Sequence, residues 1–199
     1  MMLFLRQALG FMLANLFDLT LVSLVWLALQ VPILTGPGAS VALYHFARQA
    51  VLQDEARLSD FFRGLKLYLL KGWLIVVPLL IVVAVLGYDI FFFLSGDRPS
   101  ARVWASVPMA VLLAVLVTQS YLPALYVREQ GGVPAAIRKA YLLAMTNLLF
   151  TMTLLLITLF YFALLYATRI GLAMIFVGPV AVLQTRAVQF LLAKKEIEF

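Results

Sequence analysis

Apolar residues run through this chain in long blocks, interrupted at a few places by glycine, proline or charge. Six blocks stand out by hydropathy, roughly 16–35, 38–53, 72–94, 103–127, 147–167 and 171–192. Most approach the ~20 residues that a helix needs to cross a bilayer core, so each predicts a transmembrane helix. The second block is the shortest and carries His45 and Arg48.

Two stretches between blocks have a different pattern. In "RLSDFFRGLKLYLLKG", 57–72, the residues Leu58, Phe61, Phe62, Leu65, Tyr68 and Leu69 share one helical face, while Arg57, Asp60, Arg63, Lys66 and Lys71 take the other. Ser59 is placed to cap such a helix and Asp60 to favour its positive end. "VPAAIRKAYLLAMTN", 133–147, opens with Pro134 in a first-turn position. These predict amphipathic helices over 57–71 and 133–146. They would lie along the membrane surface with the basic side toward phosphate. The competing reading is that each begins the span that follows it.

Composition fixes the class. The chain has 199 residues, 65% of them hydrophobic and 12% charged, with a mean hydropathy of +1.06. A soluble domain is about 45–50% apolar and about 25% charged. The surplus apolar surface must face lipid, so this is an integral membrane protein. The N-terminal stretch carries one arginine ahead of a long apolar run and resembles a signal anchor more than a cleavable signal.

Charge gives the expected sidedness. The net charge is +6, and in a membrane protein excess Lys and Arg marks the cytoplasmic loops rather than a nucleic-acid surface. With six spans and the N-terminus inside, 12 of the 15 basic residues fall on the cytoplasmic side, and only Arg98, Arg102 and Arg169 fall outside. If block two alone failed to cross, five of those 12 would change sides. The positive-inside rule therefore favours six spans with both termini inside. In that arrangement Gly36-Pro37-Gly38 is an outer hairpin tip, with a re-entrant or ligand loop as the alternative.

Aligning the chain on Arg6, Arg63 and Arg138 suggests a threefold repeat. Nine residues after each arginine comes Asn15, Gly72 or Asn147, and then a span begins. The returning spans end "ALYHFARQ" (42–49), "ALYVREQ" (124–130) and "AVLQTRAVQ" (181–189). The predicted fold is thus all-α and polytopic: three hairpins, each preceded by a surface helix, in a single membrane domain 1–199.

Ionisable and strongly polar side chains within spans are costly and mark candidate sites. Asp18, His45, Arg48, Gln119, Gln184 and Arg186 all fall in the expected cytoplasmic half. Together they would line a polar cavity open to the cytoplasm, with Asp18 as counter-ion to Arg48. The alternative is that they snorkel or bond across packed helices. Arg63, Lys66, Arg138 and Lys139 are the candidate contacts to anionic headgroups or to a partner. Asp89 is expected to pair with Arg98 or Arg102 or to meet interfacial water, and Trp73 and Trp104 to anchor the interface.

No enzyme constellation is present. The chain lacks HExxH, GxSxG and a lysine-bearing phosphate loop. With no cysteine and one histidine, disulfides, thiolate chemistry and multi-histidine metal sites are excluded. No cofactor is expected.

The run "LVWLALQVPILTGPGASVALYHF", the acidic connector "QDEA" and "SDFFRGLKLYL" together resemble the YesL-like family of bacterial membrane proteins. Trp26, Pro32, Thr35, Leu43, Tyr44, Phe61, Phe62, Arg63 and Lys66 fit that family's places, over about residues 20–75. Leu65 stands where the family has phenylalanine, and Tyr68 where it has asparagine. The resemblance implies a bacterial inner-membrane protein associated with carbohydrate uptake, and brings no catalytic or ligand residues. The leading expectation is a non-catalytic accessory or assembly protein, with a carbohydrate transporter subunit as partner and no nucleic acid. The alternative is a small-solute transporter or channel.

Overall fold

The computed structural model describes residues 2–32, 34–95, 99–129, 132–167 and 173–197, and all regular structure among them is α-helical. The chain opens with α1 (Met2–Ala14), α2 (Leu16–Gln30) and α3 (Gly36–Gln53). It continues through α4 (Leu58–Tyr68), α5 (Trp73–Ser95), α6 (Pro99–Trp104), α7 (Ser106–Gln119) and α8 (Leu122–Glu129). It closes with α9 (Val133–Thr146), α10 (Leu148–Ala167) and α11 (Ala173–Ile197).

Two stretches, Trp73–Ser95 and Arg102–Gln119, are long and apolar enough to cross a membrane. Two bent pairs qualify only when each is taken as one unit. Ala8–Ala14 meets Leu16–Gln30 at 81°, and Val133–Thr146 meets Leu148–Phe160 at 104°. The apolar run Val177–Ala193 is shorter. By length and composition the described residues therefore hold two to four candidate spans.

The helix breaks fall where the arginine alignment expects them: at Asn15, at 69–72 and at Asn147. Both asparagines use one device. Asn15 Nδ2 donates to Phe11 O (3.1 Å), and Asn147 Nδ2 donates to Leu143 O (3.2 Å). Each amide bonds a carbonyl four residues back at the end of its helix, and Phe11 O accepts the backbone N–H of Asn15 (3.0 Å) as well. Each asparagine's own carbonyl then accepts the first bond of the next helix, from Leu19 N (3.0 Å) and Thr151 N (2.9 Å).

Helix α3 lies at the centre. It is rich in small residues, with Gly36, Gly38, Ala39, Ala42, Ala47 and Ala50 all buried. That lets α4 pack against it as an antiparallel hairpin. A Cβ on Gly64 would sit 3.1 Å from Ala42 O, one on Gly38 2.6 Å from Leu69 Cα, and one on Gly72 2.4 Å from Pro37 O. Helices α3, α8 and α11 touch one another. The outer helices follow a cyclic order: α4 lies on α3, α9 on α8 and α1 on α11, while α5 touches α3, α10 touches α7 and α2 touches α11.

This hairpin changes the expected topology. Trp73 Nε1 donates to Leu34 O (3.1 Å), so the α2–α3 turn and the start of α5 lie side by side. At the other end Ala56 N donates to Asn15 Oδ1 (3.1 Å). Helices α2, α3 and α4 thus connect the same two levels. A span at 38–53, with its tip outside, a surface helix at 57–71 and α5 starting inside, does not fit these contacts. If α3 crosses, α4 crosses back. Ser59 is not the cap of α4 either. The Asp60 N to Arg57 O bond (3.0 Å) starts the helix earlier, with Arg57 at the N-cap. Pro37 and Pro134 do sit in the first turns of α3 and α9.

Candidate functional site

Two sites emerge from this packing. The first is an open groove on the outward side of the α3–α4 hairpin, with a volume of about 440 Å³, lined by His45, Gln49 and Gln53 from α3 and Asp60, Arg63 and Lys66 from α4. Antiparallel packing brings these positions together, because side chains one turn apart on each helix face the same seam. Asp60 is only 4% exposed, yet its Oδ2 has no partner. Arg63 lies 3.6 Å from Asp60 Oδ1 and remains largely exposed. His45 Nδ1 is likewise buried without a partner, and its ring packs 5.8 Å from that of Tyr68. Burial holds the His45 pKa below its ordinary value; Arg48 and Arg63 add to that and Asp60 opposes it. The imidazole is therefore neutral at pH 7.

The second site is a chamber of about 380 Å³ among α2, α3, α5, α7, α8, α10 and α11. Gln119 and Gln184 both line it, so two of the six expected cavity residues do converge. Tyr44, which the sequence placed only in the family resemblance, is the third member. Its hydroxyl donates to Gln184 Oε1 (2.5 Å). Burial pushes the Tyr44 phenol well above its ordinary pKa, so it stays a donor. No helical period marks Tyr44 as special, because it lies on an apolar face.

The other four expected cavity residues go elsewhere. Arg48 Nη1 donates to Val127 O (3.1 Å), where it ties α3 to α8. Among the described residues Asp18 makes no ion pair with it, which corrects the expected Asp18–Arg48 couple; a backbone carbonyl on the neighbouring helix is the closer acceptor. Arg186 stacks 4.5 Å over the Phe11 ring and reaches Asp54 Oδ1 at 3.3 Å, fixing α11 to α1 and to the end of α3. His45 belongs to the groove. One polar cavity shared by all six residues is therefore not formed.

On the second amphipathic segment Arg138 is exposed, while Lys139 is bound to Glu129 (2.5 Å) and holds α9 to α8. Asp89 has no ion pair with Arg102 among the described residues; Arg98 and Arg169 lie outside them. Among the described residues no cluster of three or more His, Asp or Glu is placed to hold a metal ion. No protein-family model, no curated protein and no solved structure matches this chain.

Proposed function

We propose that the protein is a non-catalytic, membrane-anchored docking protein of the bacterial inner membrane, with both termini cytoplasmic. The observation that carries this reading is the α2–α3–α4 unit, whose strands of chain run between one pair of levels. Either all three helices cross the bilayer or none does. If they crossed, the open groove of Asp60, Arg63, Lys66, Gln49 and Gln53 would face hydrocarbon, at a cost of several kcal/mol for each charge. In the favoured topology none crosses, and the spans are α5 and α7 with α6, the two stretches that are long and apolar enough on their own. Helix α5 alone is about 35 Å long at ~1.5 Å per residue, enough for the layer.

The charge balance supports the same sidedness. The stretch 31–35, "VPILT", carries no charge, so placing it on the inner side costs nothing in the count, and with only Arg98 and Arg102 on the outer stretch 13 of the 15 basic residues lie inside. The cyclic packing and the matched asparagine breaks support three related units, the first shortened so that its hairpin stays at the inner face. Arg63 and Lys66, exposed beside the groove, then meet a cytoplasmic partner or anionic headgroups. From the YesL-like resemblance, the partner is a carbohydrate transporter subunit.

Two experiments test this. The chain has no cysteine, so single substitutions report sidedness cleanly. Leu34→Cys should label from the cytoplasmic side and Asp97→Cys from the outer side; the six-span arrangement requires that both label from outside. For docking, the protein is recovered from its native membrane in lipid nanodiscs and co-purifying chains are identified by mass spectrometry. A transporter subunit that is recovered with the native chain and lost, about tenfold or more, with Arg63→Glu/Lys66→Glu supports the reading. Recovery of the protein alone or as a homo-oligomer counts against it.

The solute-transporter reading draws on the meeting of Gln119 and Gln184 in the chamber. It is the weaker one, because most of that lining is aliphatic and aromatic and no Asp, Glu, Lys, Arg or His takes part.

A further inference from the structure

The chamber has a chemistry of its own, independent of docking. We propose that it binds an uncharged lipid with a hydroxyl head, reached sideways from the bilayer.

The first argument is polarity. With no charged side chain in the wall, an ionised ligand would be left unpaired in an apolar surrounding. The wall hydroxyls are already spent on their own helices: Ser40 donates to Gly36 O, Ser120 to Leu116 O and Thr158 to Leu154 O. Tyr44 is spent on Gln184. Two buried polar atoms in the lining have no partner, the acceptor Gln119 Oε1 and the donor Trp26 Nε1. Buried polar groups in folded proteins are almost always bonded. A ligand hydroxyl both donates and accepts, so it suits either atom, and a pure hydrocarbon suits neither.

The second argument is access. A second hollow of about 400 Å³ lies among α5, α7 and α9, and it shares Ile75, Leu79 and Gln119 with the chamber. Its rim includes Leu74 and Val82, 62% and 42% exposed on α5. Helix α5 fully buries only Ile75, and its Leu80, Ile81 and Val85 are each more than half exposed. A chain from the bilayer can therefore enter between α5 and α7 and place its head at Gln119, on the threshold between the two spaces. Each volume lies in the range of small-ligand sites, about 300–1,000 Å³.

The test uses the full chain in nanodiscs of phosphatidylethanolamine and phosphatidylglycerol, with a diazirine-bearing hexadecanol as photo-crosslinking probe. Labelling is expected on chamber peptides of α3, α8 and α11. It should fall about tenfold in Gln119→Leu, the worth of one buried hydrogen bond, and vanish in Leu116→Trp, which fills the space. A diazirine-bearing hexadecanesulfonate should not label there. With the unsubstituted chain, which does not depend on how a variant folds, unlabelled hexadecanol should compete about tenfold better than hexadecane. Labelling confined to the outer faces of α5 and α10, equal labelling by the sulfonate, or equal competition by the hydrocarbon would each overturn the proposal.

Discussion

The α3–α4 hairpin and the α5–α7 pair are each two helices lying side by side, and both are rich in apolar residues. They bury very different things. Helix α3 turns glycine and alanine inward and meets α4 at backbone distance. Helix α5 has Leu, Ile, Val and Phe on its surface, with only Ile75 buried. On the hairpin the outward seam is polar, from His45 to Lys66. On α5 the outward surface includes Leu80, Ile81, Val85 and Phe91, all more than half exposed. Residue size and outward chemistry separate a packing helix from a lipid-facing one, where summed hydropathy treats alanine and leucine as variants of one signal.

The sharpest way to break this contrast is to place the same charge on each region. Val85 of α5 and Leu67 of α4 are almost equally exposed, at 54% and 55%. Val85→Asp puts a carboxylate near the middle of a span and should disfavour insertion by about 3 kcal/mol. Leu67→Asp should be nearly neutral, because that position meets water or headgroups. The readout is the fraction of chains retained in the membrane after alkaline extraction. Equal losses would mean that α4 lies in hydrocarbon after all.

A smaller contrast comes from glycine. Gly38 faces the α4 backbone, so Gly38→Ala forces Leu69 aside and should lower stability by about 2 kcal/mol. Gly87 in α5 has nothing within 4 Å of an added Cβ. Gly87→Ala should raise stability by up to about 1 kcal/mol through helix propensity. Thermal unfolding in detergent would read both, and a matching sign would remove the distinction between the packed hairpin and the open pair.

The same contrast explains what was legible beforehand. Segments 57–71 and 133–146 are visible because alternating faces leave a helical period, and they return as α4 and α9 within a few residues. The breaks at Asn15 and Asn147 are visible because each asparagine follows its arginine at one spacing. Block 38–53 is harder to read, because hydropathy counts its alanines as apolar although they are buried in helix packing, Ala42 against Gly64 among them. Charge does not correct this, since 31–35 contributes nothing to either side of the count. The Tyr44–Gln184 bond joins residues 140 positions apart, and no local pattern encodes such a meeting. The charge pattern alone leaves Arg48 either paired with Asp18 or bonding across packed helices, and a guanidinium near a helix end is served as well by a carbonyl such as that of Val127.

The smallest expected effect concerns pH and belongs to the hairpin alone. His45 is the chain's one histidine, and its folded pKa lies below the ordinary 6.5, chiefly through burial. The unfolded chain therefore binds this proton more readily than the folded one. Stability from His45 is fully present above pH 6.5, declines as pH falls below it, and levels off once the folded group has also protonated. His45→Gln should flatten that slope while leaving the α5–α7 pair untouched. Unfolding midpoints followed between pH 7 and pH 5 would show this as a difference between the two proteins that grows on acidification. If the native protein instead gains stability relative to His45→Gln as the pH falls, the protonated ring has found Asp60 Oδ2 across the groove, and that carboxylate would then be the stronger influence on His45.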